Sequence, residues 1–180
     1  APSPKASPIL SHISGAKGIK LVRINGMTDT IDSRLKNLGI SLPEAAAPAA
    51  NYVPFAQTGS LLLTSGQLPL ENGKLVHTGQ VGDALTVAHG QAAARACAIN
   101  ILAQAKAALG DLNRIKRIVK ITVFVSSTAD FVEQHLVANG ASDLLVAVLG
   151  DAGKHARSAV GVASLPLNAP VEIEAIIEVA

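Results

Sequence analysis

Residues His155 to Ile176 read HARSAVGVASLPLNAPVEIEAI, two apolar runs with an arginine at one end and glutamates near the other. Arginine is a permanent cation and glutamate can carry or release a proton, so this stretch concentrates groups able to do chemistry. In VEIEAIIEV, a period of two puts Val171, Ile173, Ala175, Ile177 and Val179 on one face. Glu172, Glu174, Ile176 and Glu178 fall on the other. Three carboxylates on one sheet face repel unless water, a cation or a partner subunit meets them. Pattern alone favours a solvated face. It likewise treats Arg157, which follows the loop GDAGKHA, as a surface cation, and His155 as an exposed loop histidine.

Strands and helices must position these charges. From Asn51 the texture is that of short strands: NYVPFAQTG, SLLLTSGQLPL, then a hairpin at ENGKLVHTG, where Asn72-Gly73 is a favoured two-residue turn. Thr86 to Gly110 predicts a helix of strong helix formers ended by glycine, with an apolar stripe through Ala92, Ala96, Ile99, Leu102 and Ala103. RIKRIVKITVFV predicts a central strand with Arg117, Val119, Ile121, Val123 and Val125 on one face. TADFVEQHLVANGASDLLVAVLG predicts a second helix, capped by Thr128 or Asp130, ending at Gly150 and breaking at Asn139-Gly140. SAVGVAS and VEIEAIIEV add two strands. The order predicts an α+β domain over residues 46–180, a mixed sheet with two helices packed on one face. Residues 1–45 read as an N-terminal extension and linker. They include a short helix at TIDSRLKNLGI, capped by Asp32 or Ser33, and GIKLVRINGM as an extra strand.

Composition narrows the function classes. The four basic residues Lys5, Lys17, Lys20 and Arg23 face no acid before residue 28, which leaves 11 basic against 13 acidic residues, about −2, in the remainder. Three Phe, one Tyr and no Trp argue against nucleic acid as a partner, because single-strand binders stack bases on aromatics over a basic groove. RIKRIVK reads as a solvated sheet face. The longest apolar runs, such as DLLVAVLG, are far shorter than a bilayer span of about 20 residues, so no membrane is expected. Cys97 is the sole cysteine, which excludes an internal disulfide and a cysteine-built zinc site, and it reads as a small core residue. The expected location is cytoplasmic, or organellar if the acid-free N-terminal segment is a targeting remnant.

Ala156 to Ile176, ARSAVGVASLPLNAPVEIEAI, resembles the C-terminal signature of the RidA/YjgF family, also called the L-PSP endoribonuclease-like family. That signature is Ala-Arg-Ser, an apolar strand, Leu-Pro, a short turn and a Val/Ile-Glu-Ile-Glu-Ala strand. Upstream, GSLLLTSGQLPL is similar to the family's early SGQ strand. QAAARACAINILAQAKAALGDLNRIKRIVKITVFV is similar to its first helix and central strand, and DFVEQH to the start of its second helix. The family's Asn-x-x-Tyr and paired Phe give way to ANGASDLLVAVLG, with about five extra residues before Arg157, so no residue of that helix is carried over.

The resemblance implies a chorismate-mutase-like (YjgF) fold and a homotrimer with clefts between subunits. It implies cofactor-free hydrolysis of reactive enamines and imines, such as 2-aminoacrylate, to 2-oxo acids and ammonia, with no metal. Arg157 matches the arginine that grips the substrate carboxylate, and Glu172 the glutamate that positions the attacking water. Tyr52 matches the cleft tyrosine, Gly66 the glycine lining the pocket, and Ala159 stands where many members have a cysteine whose backbone N–H meets substrate. A module that binds a small carboxylate without turnover, an endoribonuclease, and a partner-binding scaffold using the extension stay open beside this reading.

Overall fold

Thr30 starts the first helix, α1 (Ile31–Asn37), through a reciprocal cap: its Oγ1 accepts from Ser33 N at 3.1 Å while Ser33 Oγ accepts from Thr30 N at 2.9 Å. The cap is therefore Thr30, and neither Asp32 nor Ser33, because only a residue in extended conformation one step outside the helix can reach back to it. The structure, a computed structural model, describes residues 29–47 and 51–180. The strand expected at GIKLVRINGM lies outside the described residues. Leu35 enters the main core, and Arg34 donates to the Val148 carbonyl at 3.2 Å, tying α1 to the end of a later helix.

Four short strands follow: β1 (Phe55–Thr58), β2 (Leu61–Thr64), β3 (Leu70–Glu71) and β4 (Lys74–Leu75). The β3–β4 turn is Asn72-Gly73 with φ of 51° and 76°, the paired left-handed geometry that Asn-Gly favours. Helix α2 (Val87–Leu109) is capped by Thr86 and stopped by Gly110 at φ 74°. Then come β5 (Ile115–Ser126), α3 (Gln134–Leu149), β6 (Ala156–Val162) and β7 (Val171–Val179). The five-stranded sheet runs β1-β2-β7-β5-β6, with β5 and β6 parallel and the other pairs antiparallel. Helix α3 supplies the crossover that a parallel pair requires. The result is the expected α+β architecture, a mixed sheet with α2 and α3 on one face and α1 against α3.

Burial in β7 alternates as its sequence demands, with Val171, Ile173, Ala175, Ile177 and Val179 at 2% exposure or less against the helices. Other expectations shift. The buried stripe of α2 is Ala93, Ala94, Cys97, Ala98, Ile101, Leu102 and Ala105, while Ala92, Ala96 and Ile99 lie beside it. An alanine-rich helix is apolar at nearly every position, so its pattern does not set its phase. Cys97 is fully buried, and burial pushes its thiol well above the ordinary range, in keeping with a core role. In β5, two register shifts against β7 turn Ile115, Ile118 and Ile121 to the core and leave Arg117 outside, paired with Glu178 at 2.8 Å.

Helix α3 starts later than expected, at N-cap Glu133 without a side-chain cap, because Thr128 and Phe131 close a separate turn. It also runs unbroken through Asn139-Gly140. With its C-terminal turn, Gln134–Gly153, it is long and apolar enough to span a bilayer, yet Val137, Ala138, Ala141, Leu144, Leu145 and Val148 are packed in the core. Gly140 is there for contact: a Cβ would overlap the Gln91 carbonyl of α2. Gly140→Ala should separate the two helices and cost about 1–3 kcal/mol, read as a lower unfolding midpoint in urea; an unchanged midpoint would contradict this packing.

Candidate active site

Arg157 sits near the start of β6, the edge strand, opposite Ile121 of β5. Laterally paired residues share a sheet face, so its side chain leaves on the helix face. There its Nη1 donates to Asn139 Oδ1 and Ser142 Oγ, both at 3.0 Å, and its Nη2 to the His135 carbonyl at 3.3 Å. Three groups on one face of α3 therefore fix the guanidinium. Behind it, His155 Nδ1 lies 2.6 Å from the Gly153 carbonyl and so carries the proton, which leaves Nε2 to accept from Ser142 Oγ at 3.0 Å. His155 is thus half-buried in a relay from Gly153 to Arg157, and not the exposed loop histidine expected from sequence. Burial, then the nearby Arg157 charge, lowers its pKa from the ordinary 6.5, against the opposing pull of the Gly153 hydrogen bond.

Glu172 lies two strands away, on the face of β7 turned from the helices, in line with Phe124 and Val160. Its carboxylate occupies the space above Gly66, where any Cβ would overlap Oε1. Among the described residues it has no hydrogen-bond or ion-pair partner. Burial, and next the Glu174 charge, raise its pKa above the ordinary 4.5. Gly66 is held by its neighbours: Gln67 N donates to the Ile173 carbonyl at 2.8 Å, Ile173 N returns a bond at 3.1 Å, and Gln67 Nε2 donates to the Ser65 carbonyl at 3.0 Å. Ser65 Oγ donates to the Val53 carbonyl at 2.6 Å, drawing the segment that carries Tyr52, 54% exposed, to the same corner.

Glu172, Gly66 and the Tyr52 segment thus form one group, and Arg157 with Ala159, two residues along the same helix face and opposite Val123, forms another. Within one chain the two groups do not meet. Arg157 and Glu172 stand on opposite faces, three residues and two strands apart, roughly 14 Å between Cα atoms from ideal sheet spacings.

The sequence over residues 32–178 matches a family model described as "YjgF/chorismate_mutase-like, putative endoribonuclease". The chain belongs to the YjgF/RidA family. Protein TCP17 of Trypanosoma cruzi is 55% identical over 149 residues, which span 82% of this chain and 93% of that protein. Atu1372 of Agrobacterium tumefaciens has a crystal structure 59% identical to it, with a TM-score of 0.80 over 84% of this chain and 94% of that one. A Shewanella oneidensis MR-1 protein is 40% identical with a TM-score of 0.81, covering 84% and 100%. The YjgF/RidA fold is therefore that of the whole described domain, and the match begins within α1.

Sequence reasoning missed Asn139, Ser142 and Gln67. Asn139 and Ser142 lie in the part of α3 that departs from the family pattern, and only the register of β6 against β5 brings Arg157 to them. Gln67 was visible in the SGQ motif, but its work in bracing Gly66 was not. The His155 contact is testable by NMR titration of the imidazole. The parent should titrate below 6.5, and Arg157→Ala should move the midpoint upward by removing a repelling charge. The linkage follows: the fold favours the neutral imidazole, so its contribution is present above the ordinary value and is lost as pH falls through the lowered one. An unmoved midpoint in the variant would rule out the relay.

Proposed function

We propose that this protein is a cofactor-free hydrolase of small enamines and imines, releasing ammonia and a 2-oxo acid, from clefts built between the subunits of a homotrimer. One observation supports it most: a guanidinium braced at a sheet edge and a carboxylate over a glycine, without a partner among the described residues, that face opposite sides of the same sheet. The open sheet face favours such assembly, since Leu61, Leu63 and Val160 are 36%, 37% and 42% exposed there, a surface that closed symmetry would cover.

The chemistry follows from the groups. Arg157 of one subunit receives the substrate carboxylate in a planar two-bond grip, and the backbone at Ala159 lines the same edge. An enamine first gains a proton at carbon while its nitrogen releases one, and so becomes the imine. Glu172 of the neighbouring subunit takes a proton from water as its oxygen bonds to the imine carbon, and that proton passes to nitrogen. The resulting carbinolamine passes its hydroxyl proton to nitrogen as the C–N bond breaks, so that ammonia leaves and the C=O bond of the 2-oxo acid forms. The arriving guanidinium favours the ionised form of Glu172, opposing the burial that raises its pKa in a single chain. Such a general base contributes about 10²- to 10⁴-fold. Gly66 leaves room for the carboxylate, and Tyr52 borders the cleft.

A small-carboxylate binding module without turnover is the second reading, favoured by the firm anchoring of Arg157 on α3. Ammonia release from 2-aminoacrylate generated in situ separates the two. Arg157→Ala and Gly66→Ala should each remain folded by circular dichroism and lose about 10²-fold or more of that release. Parent activity in Arg157→Ala would refute the mechanism. Binding of a 2-oxo acid by the parent with no release from any imine would favour the module.

A further inference from the structure

A cavity of about 670 Å³ lies on the outer side of α2, apart from every residue of the site above. One wall is the segment after α1, through Ile40 and Leu42; another is the β3–β4 hairpin, through Glu71, Val76 and His77; the floor is α2, through Ala92, Arg95 and Ile99. Both walls are clamped onto α2. Asn100 Nδ2 donates to the Leu68 and Leu70 carbonyls at 2.9 and 3.0 Å, holding the hairpin's base. One turn on, Gln104 Nε2 donates to the Ala46 carbonyl at 2.9 Å, holding the end of the segment after α1. The α2 residues that line the pocket, Ala92, Arg95, Ala96 and Ile99, precede both clamps and lie beside the buried stripe of the helix. The pocket is therefore preformed, and its size lies in the range of small-molecule sites, about 300–1,000 Å³.

Its polar groups are unspent. Among the described residues, the side chains of Arg95 and Glu71 make no hydrogen bond or ion pair, and His77 has only a ring contact with His89, 4.7 Å between centroids. Arg95 also borders a 380 Å³ depression beside Asp143 and pairs with neither carboxylate. The cavity thus offers one guanidinium, one carboxylate, an imidazole and an apolar lining of Ile40, Leu42, Val76 and Ile99. An anion alone would leave Glu71 unmatched, and a cation alone would leave Arg95 so. We propose that this cavity is a second ligand site for a small zwitterion with an apolar body, an α-amino acid with an aliphatic or aromatic side chain. Its carboxylate meets Arg95 in a two-bond fork, its ammonium meets Glu71, and its side chain lies on Ile99 and Val76. The volume admits the larger apolar side chains together with ordered water.

The site is independent of the proposed hydrolysis, so its test does not use activity. Calorimetry of the full chain with L-leucine, L-phenylalanine and their 2-oxo acid counterparts should show saturable binding of at least one amino acid, and roughly tenfold weaker binding of its 2-oxo acid. Arg95→Ala should lower the amino-acid affinity by about tenfold or more, Val76→Asp should abolish it, and Arg157→Ala should leave it intact. Arg95 is exposed, so its truncation leaves the fold in place. The proposal falls if neither amino acid binds, if a 2-oxo acid binds as tightly as its amino acid, or if binding survives Arg95→Ala or is lost in Arg157→Ala.

Discussion

Each residue of a strand serves one face of its sheet, and the placement of chemistry in this protein follows from that constraint. Once α2 and α3 seal one face with Val171, Ile173, Ala175 and Ile177 beneath them, Glu172 and Glu174 must stand on the other. The parallel pairing of β6 with β5 sets Arg157 level with buried Ile121, so the guanidinium goes to the helix face and to α3. A shift of one residue in either register would exchange these faces. The separation of Arg157 from Glu172 is therefore built into the sheet, and a site that uses both needs a second chain.

Pre-organisation is where most of the supporting structure is spent. Arg157 is held by Asn139, Ser142 and the His135 carbonyl, and Ser142 is in turn oriented by His155. A guanidinium already fixed loses less freedom when it grips a carboxylate, so its two bonds translate more fully into affinity. Glu172 is positioned differently, by the absence of a side chain at Gly66 and by the double hydrogen bond between Gln67 and Ile173. One charge is braced by hydrogen-bond acceptors, while the other has no partner among the described residues.

Much of this was legible in the amino-acid order. Strict alternation in VEIEAIIEV gave its face assignment, Asn72-Gly73 its turn, and Thr86 with Gly110 the ends of α2, because each is a local effect written into a few residues. The phase of α2 was not legible, since alanine makes all its faces alike. The bends of β5 were not, because register shifts arise from pairing with β7. Gly140 read as a helix break but is a crossing point, a distinction that depends on what lies opposite. The charged ends of HARSAVGVASLPLNAPVEIEAI were visible as charges; that they face opposite ways is a property of their two pairings with β5, far upstream in the chain.

The central claim, a cleft that draws Arg157 from one subunit and Glu172 from its neighbour, is tested by complementation. Arg157→Ala and Glu172→Gln would each be inactive as pure oligomers, and the two would be co-expressed and purified as a mixture with different tags. Random assembly gives an intact pair at about one interface in four, so about a quarter of parental ammonia release should return. A mixed oligomer as inactive as either variant alone would contradict a site shared between subunits.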